Sequence, residues 1–315
     1  MALPVYASPL ERAWRVTYLV ICTLIFLFLI APIIIVIPLS FNAEPYFTFS
    51  SGMMRGDPDA YSLRWYDRLI TFGMQSPDAP RDGAFWADFW NNAAWMRAAK
   101  NSVIIGIFAT LLATTLGTIA ALGLTRPEMP CRKQIMAVLI SPMIVPIIIS
   151  ATGMFFFYSA TQVPYPSTEG VGWMRLAGSY LGIIMAHAAL GIPFVIITVT
   201  ATLSGFDQSL VRAAASLGAN PRVAFFRVVM PLILPGVVSG ALFAFVTSFD
   251  EVVAVLFIAS PDQQTIPRQM WNGIREQISP AILSVATLLV VISILLLTTV
   301  ELLRRRSERL RGISS

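Results

Sequence analysis

Two adjacent carboxylates, Asp250 and Glu251, lie inside an apolar run, in the stretch Ser248-Phe-Asp-Glu251. Placing one charge at the centre of a membrane helix costs about 2.5–3.5 kcal/mol on insertion scales, so an acid kept there is a functional candidate. Neighbouring residues on a helix point about 100° apart, so at most one of the pair faces a given cavity squarely. One reading is a negative lining for a cationic solute, with Phe243, Phe245 and Phe249 supplying ring faces for cation–π contact. The other is a structural pair with an arginine of the last outer loop, Arg268 or Arg275, or with a neighbouring subunit. The remaining reactive groups are sparse. The single histidine, His187, lies among small residues and reads as a packed, hydrogen-bonded interhelical residue rather than a proton relay. Cys22 and Cys131 make neither a disulfide framework nor, with one histidine, a zinc site. No nucleophile–base set and no His-Glu-x-x-His argue for an intramembrane enzyme. Without Gly-x-x-x-x-Gly-Lys-Ser/Thr the chain has no phosphate loop of its own.

The elements that must hold these residues are set by composition. Of 315 residues, 56% are hydrophobic and 12% charged, about half the charge of a soluble domain. That apolar excess calls for lipid as solvent. The net charge of +5 is scattered at the ends of apolar runs, which excludes a nucleic-acid surface. Six runs are long enough to span: 16–41, 102–124, 135–158, 180–200, 232–259 and 281–303. Helices are the expected form, because each satisfies its own backbone hydrogen bonds in lipid. The runs are too long and too evenly apolar for barrel strands. The first is too long for a signal peptide and lacks a small-x-small site after it, so it reads as a retained anchor. Pro142, Pro146 and Pro193 are expected to kink or open their helices. The fold class is therefore an all-α membrane bundle, one transmembrane domain over residues 1–315.

Basic residues predict the orientation. Thirteen collect on one side: Arg12 and Arg15, then Arg126, Arg132 and Lys133, then Arg212, Arg222 and Arg227, then five arginines from Arg304 to Arg311. The short loops opposite hold Arg175, Arg268 and Arg275. Six more lie in the long first loop, about residues 42–101, offset by seven acids. The positive-inside rule then places both termini in the cytoplasm and the first loop outside. That loop reads either as a folded extracytoplasmic cap or partner surface, or as a loosely ordered insertion. Asp250, roughly 20 Å along the fifth run from Gly236 at about 1.5 Å per residue, falls in the outer half of a core about 30 Å thick.

The cytoplasmic loop of about 204–230 carries the densest local signals. Asp207 is a helix N-cap candidate. Leu210, Ala213, Ala214 and Leu217 follow at i, i+3, i+4 and i+7, one apolar face. Gln208, Arg212 and Ser216 lie on another. Gly218 is placed for a left-handed helix stop. Asn220 then caps a second helix with Pro221 at its first position. Two short helices at an angle, with small Ala213, Ala214, Gly218 and Ala219 permitting close backbone approach, could seat in a cleft of another protein.

This loop resembles the coupling loop of ABC-importer membrane subunits: Glu-Ala-Ala, three residues, Gly, then a downstream Leu-Pro. Arg212 stands where that pattern has glutamate. The likeness extends over nearly the whole chain and is greatest to the polyamine (spermidine/putrescine) branch. It includes Ser62-Leu-Arg-Trp-Tyr66, Asn101-Ser102, Ala186-His187, Ile192-Pro193, Ser248-Phe-Asp-Glu251, Leu256-Phe257, Pro267 to Trp271 and Ile278-Ser-Pro280. The resemblance implies a non-catalytic, six-helix importer permease of the bacterial inner membrane. Its partners would be a second related permease, two ATP-binding cassette subunits and an extracytoplasmic substrate-binding protein. No cofactor is expected in this chain, because ATP would be bound by the partner ATPase. Arg212, Ala213, Ala214, Gly218 and Ala219 would couple to that ATPase. Asp250, Glu251, Phe249 and Phe245 would line the substrate pathway. Relatives in the same class carry opines, amino-acid-like and other small solutes, which stand as alternative cargo. A secondary transporter or channel is the further alternative; it would need paired broken spans that the sequence lacks.

Overall fold

A computed structural model describes residues 8–126, 128–167, 170–207, 209–276 and 280–310. Gln208, Ile278, Ser279 and Arg311, and the side chains of Arg304, Arg305, Arg306 and Arg309, lie outside the described residues. The chain divides into two compact units, Met1–Phe85 with Gly273–Ser315, and Trp86–Asn272.

Helix α1 (Pro9–Leu39) opens with a capping box, in which the Ser8 hydroxyl accepts from the Glu11 amide and the Glu11 carboxylate accepts from the Ser8 amide. Residues 42–92, expected as a cap or a loose insertion, form short helices: α2 (Ser51–Arg55), α3 (Arg64–Thr71) and α4 (Gly83–Asn92). In the first unit Met53, Trp65, Leu69 and Phe85 are buried. The Trp65 indole donates to the Asn42 carbonyl at 2.7 Å, so the ring is buried with its one donor satisfied.

The second unit is built on α5 (Ala94–Leu124). The expected third span is two helices, α6 (Arg132–Ile144) and α7 (Ile147–Ala160), bent by 103°. Pro146, which has no amide to continue the ladder, is the N-cap residue of α7 at that bend. A hairpin that the sequence reading did not anticipate follows: β1 (Gln162–Ser167) pairs antiparallel with β2 (Gly170–Arg175), Tyr165 opposite Gly172. Helix α8 (Tyr180–Ser204) runs through Pro193 without interruption. Next come α9 (Ser209–Ser216), α10 (Pro221–Ala224), a π turn (Phe225–Val229) and α11 (Met230–Asp250). Residues Pro221–Asp250 form one 30-residue apolar rod. The fifth run was expected to continue to 259; instead α11 ends at Asp250, and α12 (Val253–Ile258) and α13 (Ile266–Glu276) follow. The last helix is α14 (Ala281–Leu310), which packs on α1 and α3 within the first unit.

Among the described residues four helices are long and apolar enough to cross a membrane, five if the bent pair is one span. The second unit's core is the packing of α5, α8 and α11. At Gly117 an added Cβ would lie 2.7 Å from the Val195 Cβ, and at Gly240 it would lie 2.8 Å from the Val195 Cα. These glycines let three backbones approach where lipid supplies no hydrophobic drive between helices, so close contact must hold them.

Candidate functional site

The sequence-predicted residues fall at the two ends of the 221–250 rod. At the first end, α9 begins at Ser209. The Asp207 carboxylate accepts from the Ser209 amide at 2.8 Å and from its hydroxyl, so it serves the helix start as expected. Those bonds, with the positive charge of Arg212, hold the Asp207 carboxyl below its ordinary range. The helix stops as the glycine signal predicts. Gly218 has φ +83°, its amide bonds to the Ala215 carbonyl at 2.9 Å, and the Ala219 amide bonds to the Ala214 carbonyl at 3.0 Å. This is the paired closure of a Schellman stop. The Asn220 side chain then accepts from the Val223 amide at 2.9 Å with Pro221 in the first turn. Arg212, Ala213, Ala214, Gly218 and Ala219 therefore sit together on one turn-stabilised knob. Arg212, Arg222 and Arg227 are exposed, as are Leu210, Val223, Phe226 and above all Leu217, at 89%. A knob of apolar tips ringed by guanidinium groups is suited to a recessed, acid-rimmed protein surface. One expectation needs correction: the second short helix is not free-standing, because α10 runs through the π turn into α11.

At the far end the two carboxylates separate. Glu251 breaks the helix with extended backbone (φ −76°, ψ 122°) and is buried. Its carboxylate accepts from the Val253 amide at 2.6 Å and the Ala254 amide at 3.0 Å, capping α12. Asp250 stays on the last turn of α11 and is exposed. A carboxylate at a helix C-terminus adds to the negative end of the helix dipole and lies beside carbonyls that have no intrahelical donor. Such a place favours a bound cation. Phe249, the residue before Asp250, stacks on Phe245 one turn further back, centroids 5.7 Å apart at 26°. The Phe245 ring lies over Gly106 of α5, where a Cβ would come within 3.0 Å of it. Phe243 belongs to a different stack, with Phe194 at 6.1 Å.

Arg268, offered as a structural partner for these acids, donates instead to the Val255 and Ala259 carbonyls, both at 3.2 Å, closing the C-terminus of α12. His187 is buried, with Nδ1 2.8 Å from the Ser248 hydroxyl, and so ties α8 to α11 one turn below the break. The packed, hydrogen-bonded reading of this histidine fits that contact. Asn101, to which sequence reasoning gave no role, is buried and reaches the segment after the break. An amide side chain at the start of an apolar run was the available signal, since it must find partners there.

Residues 113–310 match the family of binding-protein-dependent transport system inner membrane components. The chain is 31% identical over 288 residues to the putrescine transport system permease protein PotI of Escherichia coli, covering 91% of this chain and 88% of the relative. It is 27% identical over 284 residues to the spermidine/putrescine transport system permease protein PotC of Haemophilus influenzae, covering 90% and 95%. The fold matches a chain of a bacterial alginate ABC transporter crystallised with its alginate-pentasaccharide-bound periplasmic protein. There the TM-score is 0.61 at 15% identity, over 97% of both chains. A whole-length match of sequence and of helical architecture leaves one family in view, and the chain belongs to it: it is a binding-protein-dependent transport system inner membrane component, a permease of the ABC importers.

Proposed function

We propose that this permease carries putrescine, spermidine or a closely related small cation inward, with six spans, both termini in the cytoplasm and the 209–229 knob facing the cytoplasm. The single observation that carries the cation reading is the division of labour at the break. Glu251 is consumed by capping α12, while Asp250 stays exposed at the C-terminus of the helix that carries the stacked Phe245–Phe249 pair. A primary ammonium finds there a carboxylate, carbonyl oxygens and aromatic faces. The substrates named for the relatives from Escherichia coli and Haemophilus influenzae agree with that chemistry.

The chain works with a second permease, two ATP-binding subunits and an extracytoplasmic binding protein, and ATP is bound and hydrolysed by the partner. The knob around Arg212, Ala213, Ala214, Gly218 and Ala219 seats in the ATPase, whose facing group is acidic or neutral because Arg212 is a cation. Closure of the ATPase pair moves the knob, and the 221–250 rod carries that motion to Asp250. At about 1.5 Å per residue the rod is roughly 45 Å long, enough to reach from one membrane face past the hydrocarbon core.

The test is ATP turnover of the reconstituted importer with its binding protein loaded in turn with putrescine, spermidine and a neutral amino acid. Stimulation by the polyamines alone is expected. Stimulation by the amino acid alone discards the cation reading while leaving the importer class intact.

A further inference from the structure

The segment between the break and α13 is pinned along its length. One side-chain amide of α5, Asn101 Nδ2, donates to the carbonyls of both Asp262 and Gln264 at 2.9 Å. Its oxygen accepts from the Tyr180 hydroxyl of α8 at 2.8 Å, so all of the Asn101 amide is in use. The adjacent Ser102 hydroxyl accepts from the Ile266 amide at 2.9 Å. On the other side Gln263 Nε2 donates to the Gly178 carbonyl at 2.9 Å, and the Gly178 amide donates to the Ile258 carbonyl at 2.7 Å. Ala254, Val255, Ile258, Gln263, Thr265 and Ile266 are buried.

A mobile lid has few buried contacts and solvated backbone. Here the loop's backbone groups are matched from outside by Asn101 and Ser102 of α5 and from within by Glu251 and Arg268, while Gln263 ties it to the Gly178 carbonyl before α8, and an unmatched buried polar group would be costly. Toward α11 the chain turns at a single extended residue, Glu251, between Asp250 on the last turn of α11 and Val252 with helical backbone, and the Glu251 carboxylate reaches forward to α12 rather than back.

We propose that residues 252–266 are a fixed plug that stays with α5 and the start of α8, and that Asn101 is the residue that positions it. The plug does not withdraw. The assignment rests on the transport reading above, not on its choice of cargo.

The test locks the plug to α5. In a Cys22→Ser, Cys131→Ser background, Ser102→Cys with Ile266→Cys replaces the hydrogen bond by a disulfide. Putrescine uptake and ATP turnover of the assembled importer are measured oxidised and reduced. A fixed plug predicts an oxidised-to-reduced ratio of ATP turnover near one. A drop of tenfold or more that dithiothreitol reverses means that the plug must move, and overturns the proposal. Wild-type putrescine uptake reports on the cargo separately; the ratio reports on the plug whatever the cargo.

Asn101 itself is tested by order of effect. Asn101→Asp keeps the volume but turns a carboxylate toward two carbonyls, whereas Asn101→Ala only removes the donor. Uptake should fall about tenfold with Asp and about threefold with Ala, following the cost of an unmatched buried polar group. The reverse order, which a filling role would give, overturns the positioning assignment.

Discussion

At the scale of single residues, Asp250 and Glu251 are neighbours with opposite duties. The backbone turn at Glu251 buries one carboxylate on the α12 amides and leaves the other on the last turn of α11. That separation yields a paired prediction. Asp250→Asn should raise the half-saturating concentration for a cationic substrate at least tenfold, about 1.4 kcal/mol of binding, with unchanged assembly. Glu251→Gln keeps an acceptor for the Val253 and Ala254 amides and should leave substrate affinity nearly untouched. Glu251→Ala removes the cap and should cost about 0.5–2 kcal/mol of stability. Affinity and thermal stability measured on the three variants check this. Equal affinity loss in Asp250→Asn and Glu251→Gln would return both acids to one shared role.

At the scale of elements, the knob shows what local chemistry can and cannot announce. Gly218, Asn220 and Pro221 act over three or four residues, so their stop and start were legible in the sequence and appear at those positions. The break after Asp250 was not, because the apolar run continues past it to 259. A local cap, Glu251 reaching forward, acts there together with tertiary clamps on the segment that follows: Asn101 holds the Asp262 carbonyl, 161 residues away along the chain, and Gln263 holds Gly178. The hairpin of 162–175 was missed because its strands hold two prolines and two glycines between aromatic and aliphatic positions, a pattern shared by many loops. The π turn at Phe225–Val229 has no compositional mark at all, since a shift from i+4 to i+5 bonding changes no residue type. It nevertheless fixes the rotation of the knob about the rod. Deleting Val228 should restore α-helical bonding and turn the knob by about 100°. ATP turnover would then lose its coupling to uptake while the helix remains. Gly218→Val, strained by about 1–2 kcal/mol at a left-handed backbone position, should loosen the same stop. Retained coupling in both variants would remove the knob from the transmission.

At the scale of the whole molecule, the two sites lie at opposite ends of the 221–250 rod, and this matters more than their separate chemistry. On the proposed function, a permease driven by a partner ATPase must convert motion at one membrane face into a change of affinity at the other. A loop-only connection would dissipate the displacement in backbone torsions, whereas a helix packed on α8 at Gly240 and on α5 through Phe245 over Gly106 transmits it. This scheme has meaning only if the knob and the break face opposite compartments. The charge distribution predicts that they do, with thirteen basic residues on the knob's side. Single cysteines at exposed positions decide the matter in intact cells. With Cys22 and Cys131 replaced by serine, Leu217→Cys on the knob should be shielded from a membrane-impermeant maleimide until the cells are opened. Trp173→Cys on the hairpin, also exposed, should react at once. The converse pattern would invert the chain in the membrane. Labelling of both from outside would place knob and hairpin on one face, and the rod could then no longer carry motion across the membrane.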